Sequence, residues 1–522
     1  MRGLIIGLFG SVIITSSSMY VALRMGALPW PTIFVAVLSL TILRWFKNSS
    51  LQEMNVTHTV MSAGAMVAGG LAFTIPGIWM LQPDAQVGFW PILSVTLFGA
   101  LLGTLFTFLH RRHYIETNPL PYPMGTAAYD TLTIGDAGGK QAVKLFSAMG
   151  ASAVFTALRD RFMIIPAAWV TRLPGAHTPS FGMWLSPMAA GIGFIVGPLY
   201  TGVWFLGAVL GYYLLVPIGI TAGWFGDAAA ADLFRSNLGI GLMVGTGVGI
   251  FIKGLISFIK AQRERTRTPL RFNRLFWAGA VIALLIWITT PVTFFQMVLL
   301  VIGVWITTSM AALLTGQTGI NPMEIFGILV LLGIQIIQRP DMITSFMIAG
   351  IAAVACGLTG DVMNDLKAGS RLGTPYRQQI IAEGAGGILG AVIAVVVLFV
   401  MKEAFGGFGT PELPAPQAAA VSAMVGGLGH PTAFSIGLLG GIALYLLKIP
   451  ATTFGLGVYL PITISSIVFL GGLIRFINDI FIPVGKRSKY QQDGGIIASG
   501  FLGGEGITGV VLAIISIFSL SG

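Results

Sequence analysis

Apolar residues recur along the whole chain in blocks of roughly twenty, broken by short polar stretches, and ~20 such residues make one helical crossing of a hydrocarbon layer. The pattern predicts helices at about 3–23, 28–46, 58–81, 88–109, 141–158, 183–199, 200–220, 238–259, 275–291, 292–315, 321–337, 342–364, 378–402, 434–448, 454–477 and 494–518. Residues 416–429 read as an extra half-helix, and Pro291 as a hairpin turn or a kink. No stretch remains for a soluble domain. The fold class is therefore all-α, a polytopic integral membrane protein with about 16 transmembrane helices.

Composition agrees, with 55% hydrophobic residues and a mean hydropathy of +0.87. The 70 glycines and 26 prolines suit tightly packed and interrupted membrane helices, where small residues let backbones approach and neighbours satisfy the groups a proline frees. Glycines at four-residue spacing mark contact faces: Gly241, Gly245 and Gly249, Gly386 and Gly390, Gly437 and Gly441, and Gly500 and Gly504. Two proline-bearing segments, 119–126 and 318–324, stand in comparable places and suggest an internal repeat with broken helices. Paired broken segments point to a binding site, because half-helix ends expose backbone groups. We expect one transmembrane domain over 1–522, with halves 1–260 and 275–522 joined by a basic loop.

The formal charge of +10 sits mostly in short loops, so it reads as a topology signal and not as a nucleic-acid surface. Loop 260–274 carries six basic residues against the single Glu264 and is placed in the cytoplasm. Counting spans puts 110–113, Arg44 and Lys47 on that side, the turn 82–87 outside, and loop 486–489 outside unless 416–429 crosses. Residues 406–416 read as an extramembrane loop, and Met1-Arg2 opens a retained first helix lacking a small-residue cleavage site.

The lone Cys356 excludes an internal disulfide and a cysteine-built metal site. Of the five histidines, His58, His110, His113, His177 and His430, only His110 and His113 approach metal spacing. With no phosphate loop or nucleophile elbow, an ATP-driven pump is disfavoured and an ion gradient is the expected energy source. We expect no cofactor and no bound metal.

Ionisable side chains in apolar surroundings are costly and call for a partner, a water cavity or a function. Here they are Glu53, Asp130, Asp136, Arg159, Asp160, Arg161, Glu324, Asp361, Asp365, Lys367, Glu383 and Glu505. Asp361 and Asp365, four apart, share a helix face beside Asn364, Lys367 and Arg371, as a cation or amine site would; the blander reading is a solvated helix end. Glu505 lies among four glycines with no cation nearby in sequence, a setting for taking up and releasing a proton, unless a distant arginine pairs with it. Glu383 is a second proton-carrier candidate. Glu324, two residues after Pro322, fits the first turn of a broken helix, whose dipole a carboxylate complements. Residues 159–161 read as a short turn with a local ion pair.

Several segments, in order, resemble the oligopeptide transporter superfamily, nearest its yellow stripe-like and prokaryotic members. Glu53-Met-Asn-Val-Thr57 with Ser62-Ala-Gly-Ala65 resembles the family's early Glu-Asn motif, and 121–128 its Pro-x-Gly-Thr-Ala stretch. Residues 360–369, Gly-Asp-Val-Met-Asn-Asp-Leu-Lys-Ala-Gly, resemble its Asp-x-Met-x-Asp-x-Lys-x-Gly signature, and 454–461 and 498–506 its two C-terminal motifs. Met124 departs from many bacterial relatives, which carry glutamate there, and Glu383 has no aligned counterpart.

The resemblance implies a proton-coupled symporter of about sixteen helices in the inner or plasma membrane, importing small oligopeptides or metal chelates. Glu505 with Asp361 or Asp365 would carry the proton, Glu53, Asn55 and Asn321 would line the substrate path, and 361–377, with Lys367, would form a gate. Partners are then the substrate, protons and the lipid bilayer, with no nucleic acid; a homodimer stays open. The rival readings are an intramembrane lipid or prenyl transferase holding magnesium on Asp361 and Asp365, and a passive channel.

Overall fold

A computed structural model describes residues 2–26, 28, 32–44, 46, 49–133, 138–172, 179–264, 274–319, 321–426 and 429–520. Lys47, Asp136, His177 and residues 265–273 of the basic loop lie outside the described residues.

The chain folds into α1 (Arg2–Met25), α2 (Thr32–Arg44), α3 (Leu51–Ala72), α4 (Gly77–Leu81), α5 (Phe89–Arg111), α6 (Pro123–Thr133) and α7 (Gly138–Asp160). A hairpin of β1 (Ala168–Thr171) and β2 (Phe181–Trp184) follows, then α8 (Pro187–Val196), α9 (Pro198–Val209), α10 (Val216–Thr221) and α11 (Ala228–Glu264). Next come α12 (Arg274–Thr289), α13 (Phe294–Thr318), α14 (Met323–Ile337), α15 (Met342–Leu372) and α16 (Tyr376–Ala404). The chain closes with α17 (Pro416–Gly426), α18 (Pro431–Leu446), α19 (Ala451–Tyr459), α20 (Ile462–Phe481) and α21 (Val484–Leu520).

Among the described residues eleven helices are long and apolar enough to cross a membrane and five shorter ones are apolar, so the protein is a multi-pass helical membrane protein. The β1–β2 hairpin, antiparallel with Ala168 opposite Trp184 and Thr171 opposite Phe181, is the sole departure from helix among the paired segments described. Three sequence expectations need correction. Segment 454–477 is two helices, because Pro461 lacks the N–H that would continue α19 into α20. Segment 183–199 begins in β2, and 486–489 is the first turn of α21 and not a loop.

The helices form two compact units, each drawn from both halves of the sequence. One comprises 1–22, 30–142 and 251–403, the other 23–29, 143–250 and 404–522. In the first unit α15 is the central element. It is buried without interruption from Thr344 to Leu366, and α3, α5, α6, α13 and α14 pack around it. A helix so enclosed can be apolar all round, and 346–358 is. α3 and α5 reach it through glycines: a side chain at Gly70 or Gly99 would strike Val354, and one at Gly103 the backbone of Ala355.

In the second unit α8, α9, α19 and α20 interlock by the same device, Gly193 lying against the carbonyl of Val468 and Gly457 against that of Trp204. The four-spaced glycine pairs are helix contacts within one unit or the other. Gly386 and Gly390 of α16 meet Val60 and Gly64 of α3, Gly241 and Gly245 of α11 meet Phe434 and Leu438 of α18, and Gly500 and Gly504 of α21 meet Leu145 and Met149 of α7.

Candidate functional site: a buried carboxylate cluster

The signature segment does not end a span. α15 runs on through Asp361 and Asp365 to Leu372 and stops where Gly373 takes a left-handed φ of 69°, a conformation that costs glycine little. α16 then starts at Tyr376 and turns back along α15. Asp365 stands seven residues before the end of α15 and Glu383 seven after the start of α16, so the hairpin brings them to the same level, about 10 Å along each helix at 1.5 Å per residue. Asp361, Asp365 and Glu383 offer oxygens that all lie within 4.8 Å of one another, and the three are 3%, 2% and 0% exposed. The reading of the two aspartates as a solvated helix end is thereby excluded.

The third wall is α3. His58 and Ser62 stand four apart and so share one face. The Ser62 hydroxyl donates to Asp365 Oδ2 at 3.0 Å, and His58 Nδ1 lies 3.4 Å from Asp365 Oδ1. Gln379 of α16 donates to the Asp365 carbonyl at 2.7 Å, in space left by Gly369. Asn364 ties in α6: its Oδ1 accepts from the Gly125 N–H at 3.1 Å, and its amide donates to the Gly360 carbonyl at 3.1 Å.

These contacts leave the cluster unsatisfied. Asp361 Oδ2, both oxygens of Glu383 and both ring nitrogens of His58 are buried without a hydrogen-bond partner. Beside them the unpaired Thr315 Oγ1 flanks Gly360, as does the Asn321 amide, whose Oδ1 is also unpaired. Most buried polar groups in proteins are paired, and three carboxylates cannot all stay ionised together without a compensating cation. Among the described residues no lysine or arginine forms an ion pair with any of the three. Their oxygens converge closely enough for shared protons or a small cation to sit among them.

The other sequence candidates fall into two groups. Asn321 Nδ2 donates to the Cys356 carbonyl of α15 at 2.8 Å, and Asn55 Nδ2 to Thr374 Oγ1, in the turn between α15 and α16, at 3.4 Å, leaving Asn55 Oδ1 unpaired. Glu324 is buried in the first turn of α14, two residues after Pro322. Lys367, half-buried, follows Asp365 on α15, while Arg371 turns out over the Tyr129 ring at 5.5 Å. Glu53 is committed elsewhere, receiving Arg2 Nε at 2.9 Å and Arg2 Nη2 at 2.5 Å.

Of the two readings of Glu505, the structure shows the one with a distant arginine. Glu505 is fully buried in the second unit, and Arg159 Nη1 lies 3.0 Å from its Oε1. The Ser186 hydroxyl is 2.9 Å from both carboxylate oxygens, and the Met188 N–H donates at 2.9 Å. Ser186 is the N-cap of α8, so the carboxylate sits on a helix N-terminus as well as on a guanidinium. The local pair read within 159–161 is present too, Arg159 Nε reaching Asp160 Oδ1 at 2.6 Å. Glu505 thus has a complete set of partners, unlike Glu383.

Sequence reasoning gave His58, Ser62 and Gln379 no place in a site. The signal for the first two was their four-residue spacing inside an early apolar run; for Gln379, its place one turn before Glu383.

The family model described as OPT oligopeptide transporter protein matches residues 1–268 and 260–516 of the chain. A Haemophilus influenzae (strain ATCC 51907 / DSM 11121 / KW20 / Rd) protein named "Putative oligopeptide transporter" is 26% identical over 590 aligned positions, which cover 95% of this chain and 92% of the relative.

Proposed function

The chain belongs to the oligopeptide transporter family, a membrane transporter and not an enzyme, and on that premise we propose that it imports short peptides by proton-coupled symport across the inner or plasma membrane. The observation that carries the coupling is the unsatisfied cluster of Asp361, Asp365, Glu383 and His58 inside the first unit.

Protons entering that cluster remove charge where charge is expensive, so loaded and empty cluster favour different packings of α3, α15 and α16. Ser62 and Gln379 hold Asp365 in place, which leaves Glu383 and Asp361 as the groups free to exchange protons. Glu505 is assigned a positioning role: it joins α21, α7 and the start of α8 through Arg159 and Ser186.

The unpaired acceptors Asn55 Oδ1, Asn321 Oδ1 and Thr315 Oγ1 suit peptide N–H donors, and we assign them, with Lys367 and Glu324, to the substrate path. A polar site that pairs substrate N–H groups discriminates strongly against molecules lacking them.

The test is uptake by purified protein in liposomes carrying an inward proton gradient, offered di- to hexapeptides and, separately, ferric and nickel chelates. Gradient-dependent accumulation of peptides is expected. Accumulation of chelates alone would replace the substrate, and equilibration without accumulation would replace the symporter by a channel.

A further inference from the structure

The cavity on the second unit shares no lining residue with the carboxylate cluster or with the Arg159–Ser186–Glu505 contacts. Its volume is 690 Å³, and Gly471, Ile474 and Asn478 of α20, Ala190, Gly191 and Phe194 of α8, and residues 486–501 of α21 line it. α20 and α21 each pack closely along α8 but touch each other little. The result is a groove with the short α8 as its floor and the two longer helices as its walls.

Its two ends differ in chemistry. At one end Lys486 and Lys489, at the exposed start of α21, stand with Lys144 and Tyr490. Lys144 is neutralised by Asp493, its Nζ 2.6 Å from Oδ2, whereas neither Lys486 nor Lys489 has an ion pair among the described residues. The other end is lined by Ile497, Ala498 and Phe501. Lys489 to Phe501 spans about 18 Å along a helix at 1.5 Å per residue, close to one leaflet of a hydrocarbon core roughly 30 Å thick.

We infer that this groove is a binding site for an anionic phospholipid, with the headgroup phosphate on Lys486 and Lys489 and one acyl chain laid along α8. A groove with two unpaired cations at one end and an apolar stretch beyond Asp493 at the other matches the two ends of such a lipid and neither a soluble anion nor a neutral lipid alone. Gly191 and Gly471 are the close contacts that hold the two walls to the floor: a side chain at Gly191 of α8 would strike the Ala498 carbonyl of α21, and one at Gly471 of α20 the Ala190 carbonyl of α8.

The full-length protein, purified and placed in nanodiscs of mixed phosphatidylglycerol and phosphatidylcholine, would be released and weighed intact by native mass spectrometry. Retention of phosphatidylglycerol over phosphatidylcholine is expected, falling roughly ten- to thirtyfold in the Lys486→Gln/Lys489→Gln variant because two charges near the headgroup are removed. Ile474→Trp, a wall substitution at a half-exposed site, should reduce retention of either lipid by filling the groove. Equal retention of both lipids by wild type, undiminished retention by the double variant, displacement of the lipid by inorganic phosphate, or recovery of lipid-free dimers would each overturn the assignment.

Discussion

Asp365 Oδ1 and His58 Nδ1 face each other at 3.4 Å, in a place where both side chains are almost wholly removed from solvent. The pair links α3 to α15, and Glu383 on α16 stands against the same aspartate with no bond to either of its oxygens. Polarity of this kind inside a membrane helix bundle is retained at a cost, and the cost is met by function.

Glu383→Gln should therefore leave the protein folded, with thermal stability unchanged or raised, because it removes a negative charge from a crowded buried cluster. Gradient-driven peptide accumulation should fall to background in the same variant. Melting of the detergent-solubilised protein and uptake by liposomes measure the two effects side by side.

Glu505→Gln should behave in the opposite way. Removing one partner of a buried ion pair costs about 3–5 kcal/mol, so the variant should melt markedly lower. Arg159→Met combined with Glu505→Leu should recover part of the loss, which a double-mutant cycle would quantify.

Asn364→Ala leaves the Gly125 N–H without its acceptor at the start of α6. The expected loss is about 1–3 kcal/mol for a buried unpaired donor. Accelerated hydrogen exchange confined to the start of α6 would locate it there.

Gly390→Ala places a methyl against the Cα of Gly64, where α16 and α3 touch backbone to backbone. Overpacking of about 1–3 kcal/mol should lower the melting temperature and, by moving α16, lower the transport rate. Gly384→Ala on the same helix meets nothing within 4 Å and serves as the control.

Much of the fold was legible because a membrane imposes length and polarity on every helix. The run 342–364 identified α15, and the lone acids in apolar surroundings identified Asp361, Asp365 and Glu383. Pairing was not legible. Whether Glu505 meets an arginine depends on a contact between positions more than three hundred residues apart, which no local pattern reports. α6 is too short to show as a span, and α19 and α20 merge into one apolar run unless Pro461 is given full weight. His58 read as an isolated histidine because its neighbour Asp365 arrives from α15, about three hundred residues along the chain.

The most direct test of the central claim is the proton movement itself. Weakly buffered liposomes containing wild-type protein would receive a transported peptide under no imposed gradient, and the external pH would be followed. Peptide-evoked alkalinisation that disappears in Glu383→Gln and Asp365→Asn is predicted. Peptide entry with no pH change in wild type, or an undiminished change in both variants, would contradict proton coupling at this cluster.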